Sequence, residues 1–144
     1  MIVLIEGCDK TGKTTLQKRV HEATGYLYTI FDRGFVSSWV YNRLFRREEY
    51  ILEDYLKHDK FLSKCFLIIY LYADKETIKE RFEKDQEDFI NEDQIQDILD
   101  IYQTYGKFLT NCKWVEIDTS LCDEDETLEL AIKAIEEYKD ELSI

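Results

Sequence analysis

Gly7-Cys8-Asp9-Lys10-Thr11-Gly12-Lys13-Thr14 has the residue types and spacing of G-x-x-x-x-G-K-[ST]. Two glycines so placed let the backbone curl with its N–H groups inward, which makes an anion nest. A helix starting near Lys13 adds its positive N-terminal end. Lys13 can reach the β- and γ-phosphates of a nucleoside triphosphate, and the Thr14 hydroxyl can ligate Mg2+. The expected ATP-binding set is Gly7, Cys8, Asp9, Lys10, Thr11, Gly12, Lys13, Thr14 and Thr15.

A second cluster is Asp32-Arg33-Gly34. Asp32 can hold Mg2+ through water or take a proton from an acceptor hydroxyl. The expected metal residues are therefore Thr14 and Asp32.

These groups need elements to place them. Ile2-Val3-Leu4-Ile5 reads as a buried parallel strand leading into the loop, and a helix over 13–23 stops at Gly25. His21 reads as a surface residue of that helix. The aromatic run 26–31 predicts a second strand ending at Asp32, and the C-terminal ends of strands are where open α/β sheets bind ligands. Ser37 is expected to cap a helix to about 47 that carries Arg43, Arg46 and Arg47. An amphipathic helix follows over 49–64, and 65–72 predicts a central strand. Asp74 caps a helix over 75–84 bearing Arg81. The charged stretch 84–92 is a candidate lid. A helix over 92–109, a strand over 113–117, the turn Asp118-Thr119-Ser120 and a helix over 123–141 complete the chain. This order predicts an α/β fold in a single domain, 1–144. Its small parallel sheet of about four strands is sandwiched between helices.

The chain has 144 residues, no proline and a net charge of −12. Such acidity argues against a polyanion partner and makes the few cations informative: Lys10, Lys13, Arg33, Arg43, Arg46, Arg47 and Arg81. No apolar run reaches the ~20 residues of a membrane span. Cys8, Cys65, Cys112 and Cys122 have no zinc or C-x-x-C spacing. A reduced, cytoplasmic setting is the expectation.

IEGCDKTGKTTL followed by DRGFVSSWVYN resembles the thymidylate kinases of the P-loop nucleoside and nucleotide kinase superfamily. Glu6 to Thr15 meet the family's E-G-x-D-x-x-G-K-[ST]-T, and Asp32, Arg33, Ser37 and Tyr41 meet D-R-x-x-x-S-x-x-A-Y-Q, with Asn42 in place of glutamine. YLYADKETIKERFEKD resembles the strand, helix and arginine leading to the family's lid. The resemblance implies a P-loop NTPase fold. It implies that Asp9 approaches the acceptor sugar's 3′-hydroxyl and that Arg33 clamps the acceptor monophosphate. It gives Asn42 the base, Lys10 the place of a basic residue inside the loop, and Arg81 the place of the lid arginine. Substrate-binding residues would then be Asp9, Arg33, Ser37, Tyr41 and Asn42, and catalytic ones Lys13, Asp32, Arg33, Lys10 and Arg81. The family's additional strand and helices before D-R are missing here.

A nucleotide acceptor presents an ionised phosphate, which needs cations rather than a base. The expected reaction is Mg·ATP plus a deoxynucleoside monophosphate, with dTMP foremost. The rivals are a deoxynucleoside kinase with Asp32 or Glu6 as base and a nucleotide-binding regulatory module without turnover. Apolar surface on the 37–47 and 49–64 helices could make a homodimer.

Overall fold

The computed structural model describes residues 1–45, 51–85 and 92–143. Arg46, Arg47 and the central part of the expected lid lie outside them. The described residues form β1 (Ile2–Glu6), α1 (Lys13–Ala23), β2 (Thr29–Asp32), α2 (Phe35–Leu44), α3 (Leu52–Leu62), β3 (Phe66–Tyr72), α4 (Lys75–Lys84), α5 (Glu92–Thr104), a π-helical turn (Tyr105–Leu109), β4 (Lys113–Asp118) and α6 (Glu124–Leu142).

The four strands are parallel in the order β2-β1-β3-β4. Side chains alternate across the sheet, so each strand feeds two cores. Val3, Ile5, Leu67, Ile69 and Leu71 face α1 and α6, meeting Leu16, Val20, Ala131 and Ile135. Leu4, Ile68 and Tyr70 face the other layer, meeting Val36 and Val40 of α2, Ile78 of α4, and Ile98 and Tyr102 of α5. Burial on both faces explains the unbroken apolar runs of β1 and β3. Cutting a wholly buried centre such as Ile69 to alanine costs about 2–5 kcal/mol. No helix among the described residues is long and apolar enough to cross a membrane.

Several boundaries differ from the sequence reading. The second strand begins at Thr29, not Tyr26. Gly25 and Tyr26 both have left-handed backbone, and the Tyr26 N–H bonds the His21 carbonyl at 2.9 Å, so the end of α1 captures them first. The fourth element, α2, starts at Phe35, ahead of Ser37. Its cap comes from another strand: the Glu6 carboxylate accepts the backbone N–H groups of Gly34 at 2.9 Å and Ser37 at 3.2 Å. The long helix expected over 92–109 breaks into α5 and the π-helical turn. Asp123 caps α6 in a reciprocal capping box with Glu126.

Candidate active site

The loop from Gly7 to Gly12 leaves the C-terminal end of β1 between β2 and β3. Gly7 has φ +148°, and a Cβ there would lie 2.2 Å from the Leu71 carbonyl oxygen, so the loop lies directly on β3. Gly12 has φ +86° at the start of α1. Lys10 also has positive φ, 66°. Inside the curl, Lys13 is buried and donates to the Cys8 carbonyl at 2.7 Å, as does the Thr11 hydroxyl. Burial pulls the Lys13 ammonium below its usual range, against opposing contributions from Cys8, Asp32 and Glu6. Cys8 is buried, and burial pushes its thiol up to about 11, which leaves it an inert wall of the loop.

Asp32 pairs with Ile5 across the β1–β2 ladder, which sets it beside the first turn of α1. The Thr14 hydroxyl donates to Asp32 Oδ2 at 2.7 Å, while the buried Oδ1 has no partner. An unsatisfied carboxylate oxygen next to a hydroxyl suits a hard cation that takes oxygen ligands. Among the described residues no group of three or more His, Cys, Asp or Glu could hold a metal by itself.

Arg33 follows in left-handed conformation, φ +68°, with its N–H on the Ile5 carbonyl at 2.8 Å. Its guanidinium makes an ion pair with Asp9 of the loop and lies 5.8 Å from the Tyr41 ring centre. Lys10 pairs with Asp85 at the end of α4, 2.7 Å away, and lies over Phe82. Arg81 donates to the Lys10 carbonyl at 2.7 Å, to the Thr119 carbonyl at 2.9 Å and to the Thr119 hydroxyl at 3.1 Å. It ties the outside of the loop to the turn after β4. Beside it opens a cavity of about 420 Å3 bordered by Gly12, Thr15, Arg19, Arg81, Thr119, Cys122 and Thr127.

Lys10, Lys13, Arg33 and Arg81 thus gather at one loop, as do Asp9, Thr14, Asp32 and Tyr41. Arg43 does not: it lies over Trp39, in a separate groove with Leu52 and Asp100. Ser37 and Asn42, expected at the acceptor, are buried and turned inward. Ser37 donates to Glu6 and meets the Tyr102 hydroxyl at 2.8 Å, and the Asn42 amide donates to the Tyr55 hydroxyl at 2.9 Å. Three residues that matter here escaped the sequence reading. Tyr102 is one residue of the helix expected over 92–109, although a buried phenol demands a hydrogen-bond partner. Thr119 stood only as a turn residue, although it follows a parallel strand at the ligand edge. Glu6 enters the sequence reading as a motif residue and a possible base, not as the acid that holds a helix start.

No family model matches the chain, and no curated protein matches it. Solved structures do. The YorR protein of Bacillus subtilis, in complex with phosphorylated GDP, is similar with a TM-score of 0.82 and 20% identity, over 94% of this chain and 96% of that one. Deoxyadenosine kinase from M. mycoides, with products dCMP and dCDP bound, is similar at 0.63 and 16%, over 95% and 100%. A gluconokinase from Sinorhizobium meliloti 1021 is similar at 0.61 and 16%, over 99% and 95%. The chain has the fold of P-loop kinases: a four-stranded parallel sheet between helices.

Proposed function

We propose that this chain is an ATP- and Mg2+-dependent phosphotransferase that acts on a deoxynucleoside monophosphate, with dTMP as the first acceptor to test. The observation that carries this reading is Arg33. Its guanidinium lies on Asp9 of the phosphate loop, half exposed, where a second anion could meet the triphosphate. A monophosphate needs a cation at that point; a nucleoside hydroxyl does not.

The residues divide the work. The loop N–H groups and Lys13 hold the donor phosphates, Lys13 exchanging the Cys8 carbonyl for a phosphate oxygen. Thr14 and Asp32 would hold Mg2+, which supplies charge neutralisation at the β- and γ-phosphates. Arg33 exchanges Asp9 for the acceptor phosphate, which leaves Asp9 available to the acceptor sugar. Arg81 keeps Lys10 and the outer loop in place through their backbone. The cavity beside Gly12, Thr15 and Thr119 has room for the donor's nucleoside.

The likeness to deoxyadenosine kinase favours a second reading, a deoxynucleoside kinase with Asp32 as base. Glu6 is a poor base for it, because its two oxygens already accept from Gly34, Ser37 and Tyr102. A coupled ADP-release assay over nucleosides and monophosphates separates the readings. Turnover of monophosphates supports the proposal. Turnover of nucleosides alone overturns it, and ATP binding without transfer to any acceptor would leave a nucleotide-binding module.

A further inference from the structure

The acid that precedes the first loop glycine is wholly buried. Glu6 Oε1 accepts the Gly34 and Ser37 N–H groups at 2.9 and 3.2 Å, and Oε2 accepts the Ser37 hydroxyl. The Tyr102 hydroxyl of α5 lies 3.4 Å from the same Oε2, 2.8 Å from Ser37 Oγ and 3.2 Å from the Gly7 carbonyl oxygen. Four elements thus meet at one buried carboxylate: the end of β1, the phosphate loop, the start of α2, and α5.

Arg33 sits between two fixed peptide groups. Its own N–H is fixed to the Ile5 carbonyl at 2.8 Å, and the next N–H, of Gly34, is fixed to Glu6. A non-glycine residue keeps left-handed backbone only when its surroundings over-determine it. Here the two peptide groups that flank the Arg33 Cα are both held, one by a neighbouring strand and one by the buried acid. That sets the direction in which the guanidinium leaves the chain, toward Asp9.

We infer that Glu6 and Tyr102 are positioning residues. Together they form a brace that locks Arg33 in left-handed conformation and aims it at the phosphate loop. The brace acts on substrate only through Arg33, and its effect on an acceptor phosphate rests on the phosphotransfer reading above. The acid at this place therefore holds a helix start and moves no proton in the reaction. Tyr102 fixes the acid from the far side: its ring stacks on Tyr70 with centroids 5.0 Å apart, so the hydroxyl has little freedom. The same hydroxyl reaches Gly7, so the brace sets the loop and the arginine in one frame.

Two readouts test it, and the first needs no activity. In ligand-free protein, the Arg33 side-chain Nε–Hε resonance should be distinct and slow to exchange. Glu6→Ala should move it to the position of a solvated arginine, and Glu6→Gln, whose carbonyl oxygen can still accept from Gly34, should restore it. Tyr102→Phe removes one oxygen, keeps the stacking and covers the case that Glu6→Ala does not fold; it should broaden or shift the same signal. The second readout is kinetic. Tyr102→Phe should raise the acceptor KM about tenfold while kcat and donor Kd stay within about twofold. An unmoved Arg33 signal in both Glu6→Ala and Tyr102→Phe overturns the brace, as does an equal loss of donor and acceptor affinity. Loss of turnover in Glu6→Gln with the Arg33 signal intact would make Glu6 a base and also overturns it. If wild-type protein transfers phosphate to nothing, the phosphotransfer reading fails, and the resonance alone decides the brace.

Discussion

The Thr14 hydroxyl donates to Asp32 Oδ2 at 2.7 Å, joining the first turn of α1 to the end of β2. The other Asp32 oxygen is buried with no partner, the condition in which a carboxylate gains most from a cation. Asp32→Asn keeps the shape and removes the charge. It should weaken apparent Mg2+ affinity or turnover about 10–100-fold. A Mg2+ titration of the initial rate checks this; an unchanged curve would take Asp32 out of the metal's surroundings.

Lys13 already lies inside the loop, on a carbonyl that a phosphate oxygen can replace. Lys13→Ala should lower kcat by about 10²–10³, or about 3–4 kcal/mol of transition-state stabilisation. Single-turnover kinetics with saturating ATP measures it free of product release.

Arg33 and Lys13 should separate by substrate. Arg33→Ala should lower acceptor kcat/KM about a hundredfold while ATP Kd changes less than about threefold. Calorimetric titration of ATP beside acceptor kinetics gives both numbers, and an unchanged acceptor response removes Arg33 from its role.

The two loop glycines should differ. Gly12→Ala meets no atom within 4 Å, so its cost is the left-handed strain, about 1–2 kcal/mol. Gly7→Ala adds a contact of 2.2 Å with the Leu71 backbone, and the loop must then leave β3. Thermal unfolding should show a small loss for Gly12→Ala and a much larger one for Gly7→Ala. Similar shifts for both would contradict this seating of the loop.

Burial raises the Glu6 carboxyl above its ordinary range, and its bonds to Ser37 and Gly34 and the nearby Lys13 only partly oppose this. The sign follows from linkage. A folded-state pKa above the unfolded one contributes stability at low pH, which is lost as pH rises through the folded value. Glu6→Gln has no such loss. Its Tm relative to wild type should therefore rise as pH increases above the ordinary carboxylate range. A difference that stays flat with pH would mean that Glu6 titrates as it does in the unfolded chain.

The fold was legible where local pattern and tertiary context agree. The apolar runs of β1 and β3 and the two glycines of the loop leave few alternatives, and Asp123 with Glu126 announces α6. What escaped depended on partners distant in sequence. Tyr26 and Leu27 have strand-forming side chains, yet the bonds that end α1 claim them. Ser37 looks like a helix cap, yet Glu6, 31 residues earlier, holds that helix start. Asp59 shows no pattern, yet it is wholly buried and accepts from Tyr105, Thr110 and the Asn111 backbone, seating the segment that enters β4. Side-chain direction is decided by such long-range bonds, which is why Ser37, which matches the resemblance in type, and Asn42, which stands in place of its glutamine, both turn inward.

Arg81 reaches main-chain oxygens at both Lys10 and Thr119. A guanidinium that grips backbone is indifferent to most side chains carried there. Most side chains along the rim of the cradle can thus be exchanged while the clasp that keeps its shape stays shut.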